Sequence, residues 1–151
     1  MDISEILTLK NTSSHAYSES KKSVLELISK LAAANIHTLN TPKVFEKLVA
    51  RERLGSTAVG NGIAIPHAKV EGISKPIATL VQLTKPIEFD APDEKPVDIL
   101  FGLIMPTDNP EQHIKTLSAL TERLRNPLYR DSLRNAKNRE ELFKIAIGKT
   151  E

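Results

Sequence analysis

Apolar residues are densest at positions 97–105 (VDILFGLIM), a run that stops at Pro106. Nearly unbroken apolarity suits a central strand covered on both faces, which requires helices on both sides of a sheet. A second strand is predicted over residues 77–83 (IATLVQL). A short extended piece follows at Ile87-Glu88-Phe89, between Pro86 and a polar loop at 90–96. Elsewhere the apolar spacing is helical. Ser20 is placed to cap a helix reaching about residue 34, with Val24, Leu27, Ile28 and Leu31 on one stripe. Thr41-Pro42 reads as the N-cap and first position of a second helix, with Val44, Phe45, Leu48 and Val49 inward and Gly55 at its C′ end. Asn109-Pro110 opens a third helix reaching about Arg125, with Gln112 at the N3 position of a capping box. A short helical piece covers residues 128–134. Asn138 caps a last helix, with Glu141 at N3 and Leu142, Phe143, Ile145 and Ala146 as packing residues. Residues 1–19 are weakly patterned. Ile3, Ile6 and Leu7 form at most one apolar turn, and residues 11–20 read as a loop or a loosely held edge. The tally is α/β or α+β with three layers, helices on both faces of a sheet.

One stretch does not fit any regular period: residues 55–69, GSTAVGNGIAIPHAK. Gly60-Asn61-Gly62 is a tight-turn signal, because these residues accept positive φ cheaply. Residues 56–59 and 63–65 flank it as two short extended segments. Pro66 lacks an N–H, so a ladder holds it only at an edge, an end or a bulge. His67 is thereby expected where regular pairing stops, its ring left approachable by the small Ala68. An imidazole that titrates near neutrality is a nucleophile or proton carrier without further help.

Size and charge narrow the classes. A chain of 151 residues is expected to form one domain with a sizeable core. Its net charge of +2 demands no nucleic-acid partner. No apolar run approaches the ~20 residues of a membrane span, and MDISEILTLK lacks the features of a secretion signal. The absence of cysteine excludes disulfides and thiol chemistry and fits a cytoplasmic protein. Four histidines without a metal-ligand spacing argue against a metal site. No P-loop or kinase signature offers a means of binding ATP.

Two further residues stand out. His113, in the first turn of the Pro110 helix, sits mid-stripe with Leu117, Leu120 and Leu124. It therefore points toward the body of the protein at a helix end that favours anions; a core-edge histidine with satisfied hydrogen bonds is the alternative. Arg51 shares the inner side of the second helix with Val44 and Leu48, whereas Arg53 points the other way. Its planar donors suit phosphate oxygens, or it simply complements the helix C-terminus. Ser56 and Thr57 offer weak phosphate-binding hydroxyl or backbone donors, or serve as turn residues. His15 and His37 lie in polar surroundings and are expected to be solvated.

The string GSTAVGNGIAIPHAK resembles the phosphohistidine segment of the EIIA component of the bacterial phosphoenolpyruvate-dependent phosphotransferase system (PTS), fructose/mannitol type. Within that family it looks most like the nitrogen-regulatory branch. The resemblance runs from about residue 20 to residue 147; Ala68 departs from it, since glycine is more usual there. It implies a mixed sheet sandwiched by helices and a single EIIA type-2 domain over residues 1–151. It implies that His67 is the phosphoryl acceptor, through Nε2, so that the phosphorylated form is a tele-phosphohistidine. His113 would lie beside His67, orient it and hydrogen-bond the phosphoryl group, and Arg51 would neutralise its charge. The implied activity is protein-to-protein phosphoryl transfer without cofactor or metal, from an HPr-like phosphocarrier. Its implied output is phosphorylation-dependent binding of regulatory targets such as transporters or sensor kinases. A relay to a sugar-specific EIIB, or an anion-binding module without transfer, are the alternatives.

Overall fold

The computed structural model describes residues 2–34 and 36–148, so Met1, Asn35 and residues 149–151 of the expected domain lie outside the described residues. In chain order the elements are α1 (Ile3–Ile6), β1 (Leu7–Ala16), α2 (Lys21–Ala33), α3 (Thr41–Arg53), β2 (Ala58–Gly60), β3 (Ile63–Ala64), β4 (His67–Val70), β5 (Ile77–Ile87), β6 (Val97–Pro106), α4 (Pro110–Leu124), α5 (Pro127–Asn135) and α6 (Arg139–Ile147). Polar side chains start the helices as the sequence indicates. Ser20 accepts from the Ser23 amide at 3.1 Å, Asn109 from Gln112 at 3.2 Å and Asn138 from Glu141 at 2.8 Å. The cap of α3 is displaced by one residue. Asn40, not Thr41, accepts from the Lys43 amide, so Pro42 falls one position inside the helix start.

Six strands form one mixed sheet in the order β1-β5-β6-β3-β2, with β4 also on β6. Every residue of β6 is buried except the half-buried Asp98, so the apolar run at 97–105 is the central strand. Its side chains alternate between two cores. Leu100 and Ile104 join Val81, Ala64 and Ala68 beneath Val24 and Ile28 of α2 and Val44 and Leu48 of α3. Ile99, Phe101 and Leu103 join Leu80, Ile63 and Ile65 beneath Leu120, Leu124, Leu133 and Leu142 of α4, α5 and α6. A strand with one core on each face has no polar side, which is why its sequence shows no alternation. Among the described residues no helix is long and apolar enough to cross a membrane.

Three expectations are corrected. Of the two readings of residues 11–20, the edge holds and the loop does not, because β1 runs through Ala16 and pairs in parallel with β5. It is an edge strand with two register irregularities, and its polar residues are accommodated by contacts such as Asn11 Nδ2 to the Leu31 carbonyl. The piece at 87–89 is not separate, since β5 continues to Ile87 across a register shift after Gln82. On α2 the buried stripe is Val24, Leu25, Ile28, Ser29 and Ala32, leaving Leu27 and Leu31 half-buried.

A further correction bears on function. Regular pairing does not stop at His67; it resumes there. β3 and β4 lie end to end along one edge of β6, and the register carries through unchanged from Ile63↔Ile99 to Val70↔Pro106. Pro66 interrupts the ladder only because it has no N–H to give. Its carbonyl still accepts from the Leu103 amide at 2.9 Å. His67 is therefore the first residue of a strand, half-buried and rigidly based, rather than the tip of a free turn.

Candidate functional site

The segment between α3 and β4 is held by its own backbone and by charged side chains. Asn61 and Gly62 have φ of 57° and 77°, the paired left-handed conformation of a tight hairpin turn between β2 and β3. The Asn61 amide donates to Asp93 at 2.9 Å, and the Gly62 carbonyl accepts from the Asp98 and Ile99 amides. Arg134 of α5 donates through Nε to both carboxylate oxygens of Asp98 at 3.0 Å and through Nη2 to the Asn61 carbonyl. A Cβ on Gly62 would run into Arg134 Nη2 and Asp98 Oδ1, so glycine is required there by space as well as by φ.

At the other end of the segment, two adjacent residues of α3 grip it. Arg51 donates through Nη1 to the Gly55 carbonyl at 2.9 Å. Glu52 accepts from the Thr57 amide at 2.9 Å and from its hydroxyl at 2.6 Å. The Ser56 hydroxyl donates to the Phe89 carbonyl at 2.6 Å. The hydroxyls of Ser56 and Thr57 are thus committed to holding the loop, and neither residue lines the cleft at His67.

His67 Nδ1 lies 2.8 Å from the Ile65 carbonyl oxygen. A carbonyl only accepts, so Nδ1 carries the hydrogen and Nε2 bears the lone pair. Partial burial pushes the His67 pKa below its usual 6.5, and the Arg51 guanidinium adds to this, against the opposing pull of the Ile65 carbonyl and the Glu52 carboxylate. The ring is consequently neutral at neutral pH, the form in which Nε2 is a nucleophile.

The ring faces an open cleft of about 480 Å³ between α3 and α4. His67, Arg51 and His113 all line it, so three residues scattered in the sequence meet at one place. His113 is only 4% exposed, and neither ring nitrogen has a hydrogen-bond partner among the described residues. A buried imidazole left unpaired costs about 1–3 kcal/mol, which fits a group whose partner arrives from outside the fold. Lys47 and Lys69 stand exposed on the rim, as do Leu54 and Ile114, at 84% and 67%. No carboxylate is among the described residues that line the cleft. The arrangement is cationic, partly dry and equipped with one neutral nucleophile, which suits an oxyanion approaching Nε2.

Arg53 is exposed in a separate groove with residues of α2 and α3, and His15 and His37 are exposed at a distance from the cleft. Sequence reasoning overlooked Glu52, Leu54 and Ile114. Glu52 had a legible signal, since it continues the Val44, Leu48 spacing of four and puts a carboxylate on the buried stripe of α3. Leu54 and Ile114 had none, because their exposure is a property of the packed helices.

Comparison with known proteins places the chain in a family. Residues 5–147 match the family described as phosphoenolpyruvate-dependent sugar phosphotransferase system, EIIA 2. A nitrogen regulatory protein of Escherichia coli K12 is 43% identical over 146 residues, 96% of this chain and 89% of the relative. A fructose-specific EIIA component of the phosphotransferase system from Haloferax volcanii is 33% identical over 139 residues, 92% of this chain and 90% of the relative. The crystal structure of nitrogen regulatory protein IIA-Ntr from Neisseria meningitidis superposes with a TM-score of 0.88 at 35% identity, covering 95% of this chain and 98% of that one.

Proposed function

The chain belongs to the EIIA 2 family of the phosphoenolpyruvate-dependent sugar phosphotransferase system, and from that premise we propose that it is a phosphocarrier whose acceptor is Nε2 of His67 and whose output is phosphorylation-dependent partner binding. The observation that carries the reading is the state of His67. Its Nδ1 hydrogen is held by Ile65, its Nε2 lone pair is unused, and it shares a cleft with Arg51 and His113.

The donor is an HPr-like protein carrying a phosphohistidine. Nε2 of His67 attacks the phosphorus in line. The N–P bond of the donor breaks, its electron pair stays on the leaving imidazole, and a new N–P bond forms on Nε2. The Nδ1 proton does not move; the Ile65 carbonyl stabilises it as positive charge develops on the ring. Transfer of this kind passes through a loose transition state, and catalysis is chiefly positioning and charge stabilisation. Arg51 supplies a cation with guanidinium donors beyond the one given to Gly55, and His113 supplies a ring N–H toward the phosphoryl oxygens.

The product adds about −1.5 to −2 charges to the site, by analogy with other phospho-residues. A partner packed over Leu54 and Ile114 meets a strongly hydrated anion in one form and not in the other. We expect the two forms to differ in affinity for a cytoplasmic regulatory target by roughly tenfold or more, about 1.4 kcal/mol. Similarity to nitrogen regulatory proteins supports this output. Similarity to a fructose-specific EIIA supports a second reading, in which the phosphoryl group passes on to a sugar-specific EIIB.

The experiment is incubation with phosphoenolpyruvate, the general phosphotransferase enzyme and an HPr-like protein, followed by intact mass. One added phosphoryl group is expected, lost in His67→Ala, labile to acid and stable to base. Full labelling of His67→Ala would remove the assignment, and no labelling of the wild type would leave only an anion-binding module. Titrating both forms against captured partners separates regulation from relay; equal affinities leave the relay, tested by transfer of the label to an added EIIB.

A further inference from the structure

Glu52 lies outside the His67 cleft. It lines a different groove, between α2 and α3, with Lys21, Leu25 and Phe45. Its carboxylate is buried, and a buried carboxylate persists only when it is paired and hydrogen-bonded. It has three donors: the Thr57 amide at 2.9 Å, the Thr57 hydroxyl at 2.6 Å and the Lys21 ammonium at 2.9 Å. Lys21 is in turn fixed by the Phe89 ring, whose centroid lies 4.7 Å away. The last turn of a helix disfavours a carboxylate, so Glu52 does nothing for α3 by being there. Two of its three donors lie beyond the helix end.

From Thr57 the contacts continue to the acceptor. The Thr57 carbonyl accepts from the Ile65 amide at 3.0 Å. The Ile65 carbonyl accepts from His67 Nδ1 at 2.8 Å. Three successive links join Glu52 to the imidazole, each made by the next polar group of the same short path. We propose that Glu52 is a positioning residue for His67, which acts through Thr57 and Ile65 to hold the ring in the tautomer that presents Nε2 as the nucleophile. This rests on the reading of His67 as the acceptor. The links act by position: each fixes the residue that makes the next, since the Cα atoms of Thr57 and Ile65 separate one peptide group from the following one. Without the carboxylate, Thr57 keeps only its ladder contact, the Ile65 carbonyl is free to drift, and the Nδ1–H state loses its anchor. Arg51, the neighbour of Glu52, grips Gly55. The last turn of α3 therefore sets the loop at two points, one cationic and in the cleft, one anionic and behind it.

The test compares the wild type with Glu52→Gln and Thr57→Val, both close in shape to the native residues. The first readout needs no donor protein: ¹⁵N spectra of the histidine rings report the tautomer of His67 directly. The second is the rate of phosphoryl acceptance from an HPr-like donor, resolved into kcat and KM. In Glu52→Gln we expect a mixed tautomer and a kcat lower by roughly tenfold or more, with KM for the donor unchanged. Thr57→Val, which loses the hydroxyl link but keeps the amide link, is expected to fall between Glu52→Gln and the wild type. A cooperative thermal transition and native amide spectra establish that each variant is folded; if Glu52→Gln is not, Thr57→Val decides alone. Folded variants with the wild-type tautomer and kcat overturn the proposal and leave Glu52 as a clamp for the loop only. Because the tautomer is read without a donor, failure of the wild type to accept phosphate would strike the reading of His67 as acceptor, whereas a wild-type tautomer in the variants would strike the role of Glu52.

Discussion

His67 Nδ1 donates to the carbonyl oxygen of Ile65, two residues earlier, at 2.8 Å. A bond this local settles which nitrogen is free, because the donor and acceptor lie on the same strand path and move together. Pro66 stands between them. It withholds an N–H from the ladder while the register on either side stays intact.

Arg51 and His113 share the cleft with His67, and the proposed roles predict slow transfer without them. Arg51→Ala and His113→Ala should each lower the rate by ~10²-fold, a magnitude typical of a lost positioned donor. Both should still be labelled at His67. Rapid-quench transfer assays with peptide mapping measure this; wild-type rates in either variant reject the role.

The lowered pKa of His67 sets a pH profile. Burial first, then Arg51, disfavours the imidazolium in the folded state, so protonation lags below the usual 6.5 as pH falls. Acceptance should therefore fall off at a lower pH than an ordinary imidazole would dictate. The contribution to stability has the same sign. It is fully present above 6.5 and is lost as pH falls through the folded pKa, because the unfolded chain binds the proton first. Arg51→Ala should raise the midpoint and Glu52→Gln should lower it. Titration of the His67 ring resonances checks both, and a midpoint above 6.5 in the wild type contradicts the account.

Gly62 is predicted to be irreplaceable for packing. Gly62→Ala puts a Cβ at φ 77° against Arg134 and Asp98 and should cost about 1–3 kcal/mol. Denaturant unfolding measures the loss. It should come with faster hydrogen exchange at the Asp98 and Ile99 amides, which donate to the Gly62 carbonyl, since Arg134 must swing away to make room.

Leu54 and Ile114 are predicted to act in docking alone. Leu54→Glu or Ile114→Glu should raise KM for the donor by roughly tenfold, through lost apolar contact and repulsion of the phosphoryl anion. Both residues are exposed, so stability should change by no more than about 0.5 kcal/mol. Leu128→Glu is the control, as it is 73% exposed on α5 and outside the cleft. An equal effect at all three positions would show that no docking face is centred on His67.

Much of the molecule was determined by sequence alone, wherever the cause is local. Ser20, Asn109 and Asn138 cap helices because their side chains reach amides three residues ahead. Asn61-Gly62 turns because those residues tolerate positive φ. The run at 97–105 is the central strand because only burial on both faces tolerates so little polarity. Tertiary structure decided what depends on distant partners. The polar residues of β1 gave no strand signal, since an edge strand draws its order from β5 rather than from its own pattern. His67 could not be seen as the start of a strand, because the ladder that receives it belongs to β6, more than thirty positions later. The meeting of Arg51, His67 and His113 was likewise invisible to periodicity. Helix spacing says which side of its own axis a residue faces, and only the packing of α3 and α4 around β4 makes those sides the walls of one cleft.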